Sequence, residues 1–447
     1  MQAAGVGQTA IDVFTRYYQQ LESGNTGLID ENQIEPLPDP EALADVAVSD
    51  ADAQQAFART VIVKLNGGLG TSMGLARAKS LLPVRDGATF LDLIVRQVLA
   101  ARAAHGVRLP LVLMDSFSTH DDTLAALARY PELPVAGLPL DFVQSQEPKL
   151  TADSLEPVQW PADPDLEWCP PGHGDIYPAL RDSGTLDALL DAGFRYAAVS
   201  NADNLGAAPD ATLAGWFARS GAGFAIEVCR RTANDVKGGH LALRKSDGRI
   251  ILRERAQCPA EAEQYFTDRH RHAWFNTNNL WFDLKALKEA LDDHGGVLGL
   301  PLIVNHKTVD PKDEASPAVI QIESAMGAAI EVFGNSQVIA VERDRFVPVK
   351  KTNELLLLRS DVYEIGEDGR LRATVKEIPA IDLDSQFYGK IDAFEQRIPE
   401  PPSLRGATSL KVVGDHVFGR GVTVTGAAVV GEGAGPIEDG AELGGLA

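Results

Sequence analysis

The chain has 447 residues, of which 45% are apolar and 23% charged. That is globular composition, and the length predicts two or three domains rather than one core. A formal charge of −22, from 63 acidic and 41 basic residues, argues against general affinity for nucleic acid or an anionic membrane, and a polyphosphate ligand would need local lysines, backbone amides and a metal.

Residues 1–55 read as a helical arm, with a helical pattern over 11–21 followed by the acidic connector Glu35-Pro36-Leu37-Pro38-Asp39-Pro40. From residue 56 short apolar runs alternate with helical patterns. Residues 61–65, 111–114, 141–143 and 196–199 suit strands, and 90–102 suits a helix opened by a Thr89/Asp92 capping box. This alternation predicts an α/β layer with a mostly parallel sheet over a catalytic unit at 56–345. An apolar strand over 280–282 and another ending at Val349 follow, the latter opening a connector at 346–402. In 403–447, Val412, Val417, Val422, Val424, Val429 and Val430 interleave with glycines every five to seven residues, which resembles about two rungs of a β-helix. So short a solenoid must pack its valines on the preceding domain or on another subunit, and its open rung edge favours the latter.

The sequence holds no run of eighteen apolar residues, so no membrane helix is expected, and Met1-Gln2-Ala3-Ala4 lacks the basic and long apolar regions of a signal peptide. Cys169, Cys229 and Cys258, odd in number and without metal-type spacing, fit a reducing compartment, so a cytoplasmic protein is expected.

The first strand runs into Asn66-Gly67-Gly68-Leu69-Gly70-Thr71-Ser72-Met73-Gly74. Glycines there let backbone amides close on a phosphate, and Lys79 is within reach of it. The loop is neither a Walker A loop nor a dinucleotide fingerprint, because Leu75 follows Gly74 and the glycine spacing is wrong. Asp203, just past the strand at 196–199, faces the crevice where α/β sheets bind ligands, and one carboxylate suffices for Mg²⁺; a helix N-cap is the competing role. Gln144 and Gln146 both offer an amide suited to a base edge. Asn276, Asn278 and Asn279 suit sugar hydroxyls or a polar turn. Of Lys350 and Lys351, strand alternation sends at most one into a site. His270-Arg271-His272 reads as surface histidines without further ligands.

Here the chain resembles the eukaryotic-type UTP–glucose-1-phosphate uridylyltransferases, or UDP-glucose pyrophosphorylases. The resemblance rests on the loop 65–74 with Lys79-Ser80, Pro170-Pro171-Gly172-His173-Gly174-Asp175 and Val199-Ser200-Asn201-Ala202-Asp203-Asn204-Leu205-Gly206. Lys237-Gly238-Gly239, Phe275-Asn276-Thr277-Asn278-Asn279-Leu280-Trp281, Ile303-Val304-Asn305 with Lys307-Thr308, and Phe346-Val347-Pro348-Val349-Lys350 complete it, so the blocks cover roughly residues 60–360. Ser72-Met73-Gly74 favours the glucose branch over the N-acetylhexosamine branch.

The resemblance implies a Rossmann-like (GT-A-like) nucleotidyltransferase fold, a central mixed sheet flanked by helices, with a short C-terminal left-handed β-helix. It implies that UTP and glucose 1-phosphate give UDP-glucose and pyrophosphate, with Mg²⁺ on Asp203. The nucleotide contacts carried over are Leu65, Asn66, Gly67, Gly68, Gly70, Thr71, Ser72, Met73, Lys79, Gln144, Gly172, Asp203 and Lys350. Those to the sugar phosphate are His173, Asn201, Asn278 and Glu254. Lys79, Asp203 and Lys350 carry the catalytic roles. Arg255, beside Glu254, departs from the family, which usually has an apolar residue there, and Lys307 gets no role. Some lineages associate through the C-terminal β-helix, so a homo-oligomer is compatible. The alternatives are a pyrophosphorylase for galactose 1-phosphate or an N-acetylhexosamine 1-phosphate, and a silent nucleotide-sugar binding protein.

Overall fold

The apolar runs resolve, in this computed structural model, into one eleven-stranded mixed sheet. The structure describes residues 1–444 apart from 233, 234, 236, 237 and 314, and the side chain of Ser72 is likewise outside it. Lys237 of the predicted Lys237-Gly238-Gly239 block therefore lies outside the described residues.

In chain order the strands are β1 (Ile34–Pro36), β2 (Glu41–Ala42), β3 (Thr60–Leu65), β4 (Leu111–Asp115), β5 (Asp141–Val143) and β6 (Tyr196–Asn201). They continue as β7 (Phe224–Arg230), β8 (His240–Arg244), β9 (Ile250–Arg253), β10 (Trp274–Asp283) and β11 (Gln337–Ala340). Eight run in the order β2-β11-β7-β10-β6-β3-β4-β5. All these neighbours are parallel except the two pairings of β10, so the sheet is mixed. A second branch leaves β10 through β8, which carries β1 and β9.

Strand β3 shows why the layers form. Ile62 packs in one apolar core with Phe90, Ile94 and Phe217, while Val61 and Val63 pack in a second with Ile176, Leu284 and Leu287. Successive side chains point to opposite faces, so a strand apolar on both is covered by helices on both. The helix α3 (Phe90–His105), after α1 (Gln8–Glu22) and α2 (Asp50–Phe57), has the predicted Thr89/Asp92 capping box and runs on to Gly106 in the left-handed conformation. The register sets Leu65 beside both Met114 and Asn201, so three parallel strands end together and their loops diverge around one crevice.

Four local expectations need correction. The Pro-containing stretch is more than a connector: β1 and β2 pair into the sheet, and Ile34 is fully buried. The segment before Lys350 is not a strand but a short 3₁₀ turn (Arg343–Arg345) and a single bridge from Pro348 to Asn204, because Pro348 has no N–H for a ladder. The asparagines sit inside β10 rather than ahead of it, at a bulge opposite Glu227 and Val228. His272 is buried, stacked on His240 with 3.8 Å between centroids and bonded to Glu31.

At the C-terminus, β12 (Ala380–Leu383), β13 (Ser403–Val412), β15 (Thr423–Val430) and β17 (Glu442–Gly444) form one parallel sheet. The intervening β14 (Asp415–Phe418) and β16 (Ala434–Ile437) form a parallel pair. Val412, Val422 and Val424 pack with Leu383, Tyr388 and Phe394 of the same chain, so the preceding segment, not another subunit, covers them; Val417 and Val429 are exposed.

Candidate active site

The glycine loop leaves β3 at Leu65 and is pinned at both ends. Asn66 is buried, its Nδ2 donating to Asp115 Oδ1 at 2.6 Å and to Thr123 at 2.9 Å. The loop closes where Lys79 N donates to Gly68 O and Leu69 bridges Ala78. Between them Thr71–Met73 make one 3₁₀ turn ended by Gly74 at φ +79°. A Cβ on Gly67 would lie 2.9 Å from Gln144 Nε2, so only glycine lets this amide close on the loop.

A cavity of about 380 Å³ opens where the strands end, within the size range of small-molecule sites. Leu65, Asn66, Gly67, Gly68, Gly70, Lys79, Gln144, Gly172, His173, Asn201 and Asp203 all line it. A larger cleft of about 550 Å³ lies between α1 and β8–β9, away from this convergence of loop, lysine and carboxylate.

Asp203 Oδ2 accepts a 2.6 Å bond from Lys79 Nζ. Its Oδ1 is buried without a hydrogen-bond partner, and an uncommitted carboxylate oxygen beside a phosphate-type loop fits a hard divalent cation. Beneath it lies Lys64, fully buried, donating to Ser200 Oγ at 2.7 Å and Ala207 O at 2.9 Å. It thus ties β3 to both ends of the turn carrying Asn201 and Asp203. Burial and then Arg345 push Lys64 down to about 7, against the opposing pull of Glu227 and Asp203. Glu227 in turn takes two bonds from Arg345, at 2.7 and 2.9 Å, and one from Trp281. These residues went unnoticed in the sequence; the only signal was a lysine inside an apolar strand.

His173 shows how a turn histidine becomes a donor. Met326 N–H donates to its Nδ1 at 2.9 Å, and burial lowers its pKa. A neutral ring whose Nδ1 accepts carries its proton on Nε2. Gly172 at φ +79° approaches the Ser324 backbone so closely that a Cβ would clash at 2.6 Å. Asp175, pushed up to about 7 by burial, accepts from Ser145 N and ties the His173 turn to the Gln144 segment.

Glu254, Asn278 and Lys350 do not line this cavity. Asn278 has φ +59°, a conformation rare outside glycine and stabilised here by the bulge. A Cβ on Gly239 would lie 2.6 Å from the Glu254 carboxylate. Burial raises the Glu254 pKa while Lys350 and then Arg231 pull it down, which puts Lys350 within electrostatic reach of Glu254. Lys350 itself is exposed and lines a neighbouring cleft with Met73 and Asp384. It is held near Asp203 because Val349 N donates to Asp203 O at 3.2 Å. Thr71 and Met73 lie outside the cavity lining too, and Lys307 pairs with Gln321 and Glu323 on an exposed strand. Asp115, His120 and Asp141 bring potential metal-ligand atoms within 4.8 Å of one another.

A sequence profile of the family described as UTP–glucose-1-phosphate uridylyltransferase matches residues 11–425. The chain belongs to this family. The uridylyltransferase of Solanum tuberosum is 39% identical over 421 residues, covering 91% of this chain and 85% of the relative. That of Saccharomyces cerevisiae is 37% identical, covering 94% and 83%. A crystal structure of UDP-glucose phosphorylase from Trypanosoma brucei superposes with a TM-score of 0.92 at 44% identity, covering 99% of this chain and 96% of that one. A point mutant of UDP-glucose pyrophosphorylase from Leishmania major, solved in complex with UDP-glucose, gives 0.91 at 42%, with the same coverage. The mixed sheet of this chain is thus the family's sheet. Among the described residues no helix is long and apolar enough to cross a membrane.

Proposed function

We propose that this cavity transfers a uridylyl group from UTP to glucose 1-phosphate, giving UDP-glucose and pyrophosphate. The observation that carries the reading is Asp203. Its carboxylate, with one oxygen on Lys79 and the other free, lies at the ends of three parallel strands against a glycine loop. The attacking sugar phosphate oxygen is already anionic, so the chemistry needs no general base; positioning and charge neutralisation do the work. Loop amides from Gly67 to Gly74 and Lys79 hold the UTP phosphates, with Lys79 trading Asp203 for phosphate oxygens. Gln144 and the Gly172 backbone read the uracil edge. His173 donates its Nε2–H to the sugar phosphate, and Asn201 joins it. Asn278 and Glu254 take sugar hydroxyls. Lys350 offsets charge as the two anions meet. Asp203 is the ligand for Mg²⁺, which when bound supplies charge neutralisation at the α-phosphate.

The same reading assigns 1–55 to an arm that lends β1 and β2 to the catalytic sheet, and 56–345 to catalysis. It assigns 346–402 to the lysine segment and connector, whose β12 joins the C-terminal sheet, and 403–447, of which 445–447 lie outside the described residues, to a left-handed β-helix. Three free cysteines among the described residues suit a cytoplasmic enzyme, and the exposed Val417 and Val429 offer a surface for self-association. Pyrophosphate release tests the function, with UTP, Mg²⁺ and a panel of glucose, galactose and N-acetylglucosamine 1-phosphates. Glucose 1-phosphate should react fastest; release with none of them, or faster release with another sugar, refutes the assignment.

A further inference from the structure

Asp115 ends β4 and Asp141 opens β5; the register sets Asp141 beside Leu113, so Asp115 and Asp141 share one face of the sheet. His120 starts the helix α4 (His120–Leu127) directly above them. Asp115 is fully buried and its two oxygens are unlike. Oδ1 accepts from Asn66 at 2.6 Å, Thr119 at 3.1 Å and Thr123 at 3.2 Å. Oδ2 is buried and has no partner. Ionised, that oxygen lacks a donor; protonated, its hydroxyl lacks an acceptor. Either state is costly in a site shielded from water. A cation removes both difficulties. The partners it needs are present: His120 Nδ1 and Asp141 Oδ2 are hydrogen-bonded to each other at 2.5 Å, a bond the cation would replace, and the potential ligand atoms of all three residues fall within 4.8 Å of one another.

We propose that Asp115, His120 and Asp141 form a second divalent-cation site, distinct from Asp203. An imidazole with two carboxylates selects a transition ion of the Zn²⁺ or Mn²⁺ kind, since Mg²⁺ prefers oxygen ligands alone. Bonds of about 2.0–2.2 Å span ligands at most about 4.4 Å apart, so small side-chain rotations close the set. His120, with its side chain 36% exposed, supplies the entry path. Burial pushes the Asp115 carboxyl up to about 7, with the charge of Asp141 adding to it, as expected of an anion without a counter-ion. The consequence reaches the active site. Asp115 accepts from the Asn66 side chain and, through its backbone carbonyl, from Gln144 N at 2.8 Å, so an ion there stiffens two walls of the cavity.

The test is a Zn²⁺ titration of the full chain against a chromophoric chelator, with thermal unfolding read alongside. One equivalent should bind in the unsubstituted protein and raise its melting temperature. His120→Ala and Asp115→Asn should each weaken that binding at least tenfold and abolish the shift, while Asp203→Asn retains both. His120 is partly exposed, so His120→Ala decides the matter if Asp115→Asn fails to fold. Equal Zn²⁺ affinity in His120→Ala and the unsubstituted protein overturns the proposal, as does loss of the site in Asp203→Asn.

Discussion

Replacing Lys64 by methionine tests the buried lysine under the active site through its proton. Its pKa falls from 10.5 to about 7 in the fold, chiefly by burial. At 1.36 kcal/mol per unit the gap is worth about 5 kcal/mol. The unfolded chain holds this proton between those two values and the folded chain does not, so stability rises with pH across that window and the full penalty applies below about 7. Between about pH 7.5 and 9.5 the folded state should gain about 2.5 kcal/mol from this one group. Methionine cannot titrate, so Lys64→Met loses that increment. It also leaves Ser200 Oγ and Ala207 O without their donor, at about 1–3 kcal/mol each. The variant should therefore be the less stable protein at pH 9.5, with its deficit about 2.5 kcal/mol smaller at pH 7.5. Urea unfolding followed by tryptophan fluorescence, under reducing conditions, measures the difference. Every other group titrates in both proteins, so the difference isolates Lys64. Stability curves that stay parallel from pH 7.5 to 9.5 refute a neutralised lysine at this position.

Asp203→Asn should remove most activity, because loss of the metal-binding charge costs several kcal/mol of transition-state stabilisation; near-normal turnover at saturating Mg²⁺ would show that the metal sits elsewhere. Lys79→Ala should damage both UTP affinity and rate, whereas Lys350→Ala should lower kcat more than it raises KM, as for a contact made mainly in the transition state. A rise in the UTP KM alone in Lys350→Ala makes that residue a plain binding group. Gly67→Ala puts a methyl 2.9 Å from Gln144 Nε2 and should raise the UTP KM more than it lowers kcat; unchanged steady-state kinetics would remove Gln144 from the base pocket.

The sequence by itself determined what is local. The apolar runs at 61–65, 111–114 and 196–199 became strands because a short apolar run bounded by turn signals acts within a strand; that they are parallel neighbours is the work of the fold. The Thr89/Asp92 cap and the glycine loop were legible for the same reason: their partners lie within a few residues. Tertiary structure decided which distant residues meet. Only the fold brings Met326 N–H to His173 and so puts the proton on Nε2. Only the fold sets Glu227 against Arg345 beneath Lys64, places Asn278 in a bulge at positive φ, and leaves Lys350 in a cleft beside the main cavity. His272 looked exposed because its own neighbours are polar; β8 brings His240 onto it and the arm brings Glu31. The physical reason is the same throughout. Periodicity encodes which face of an element is apolar, whereas burial, proton position and charge pairing depend on the surface that covers that face, and that surface comes from residues far away in the chain.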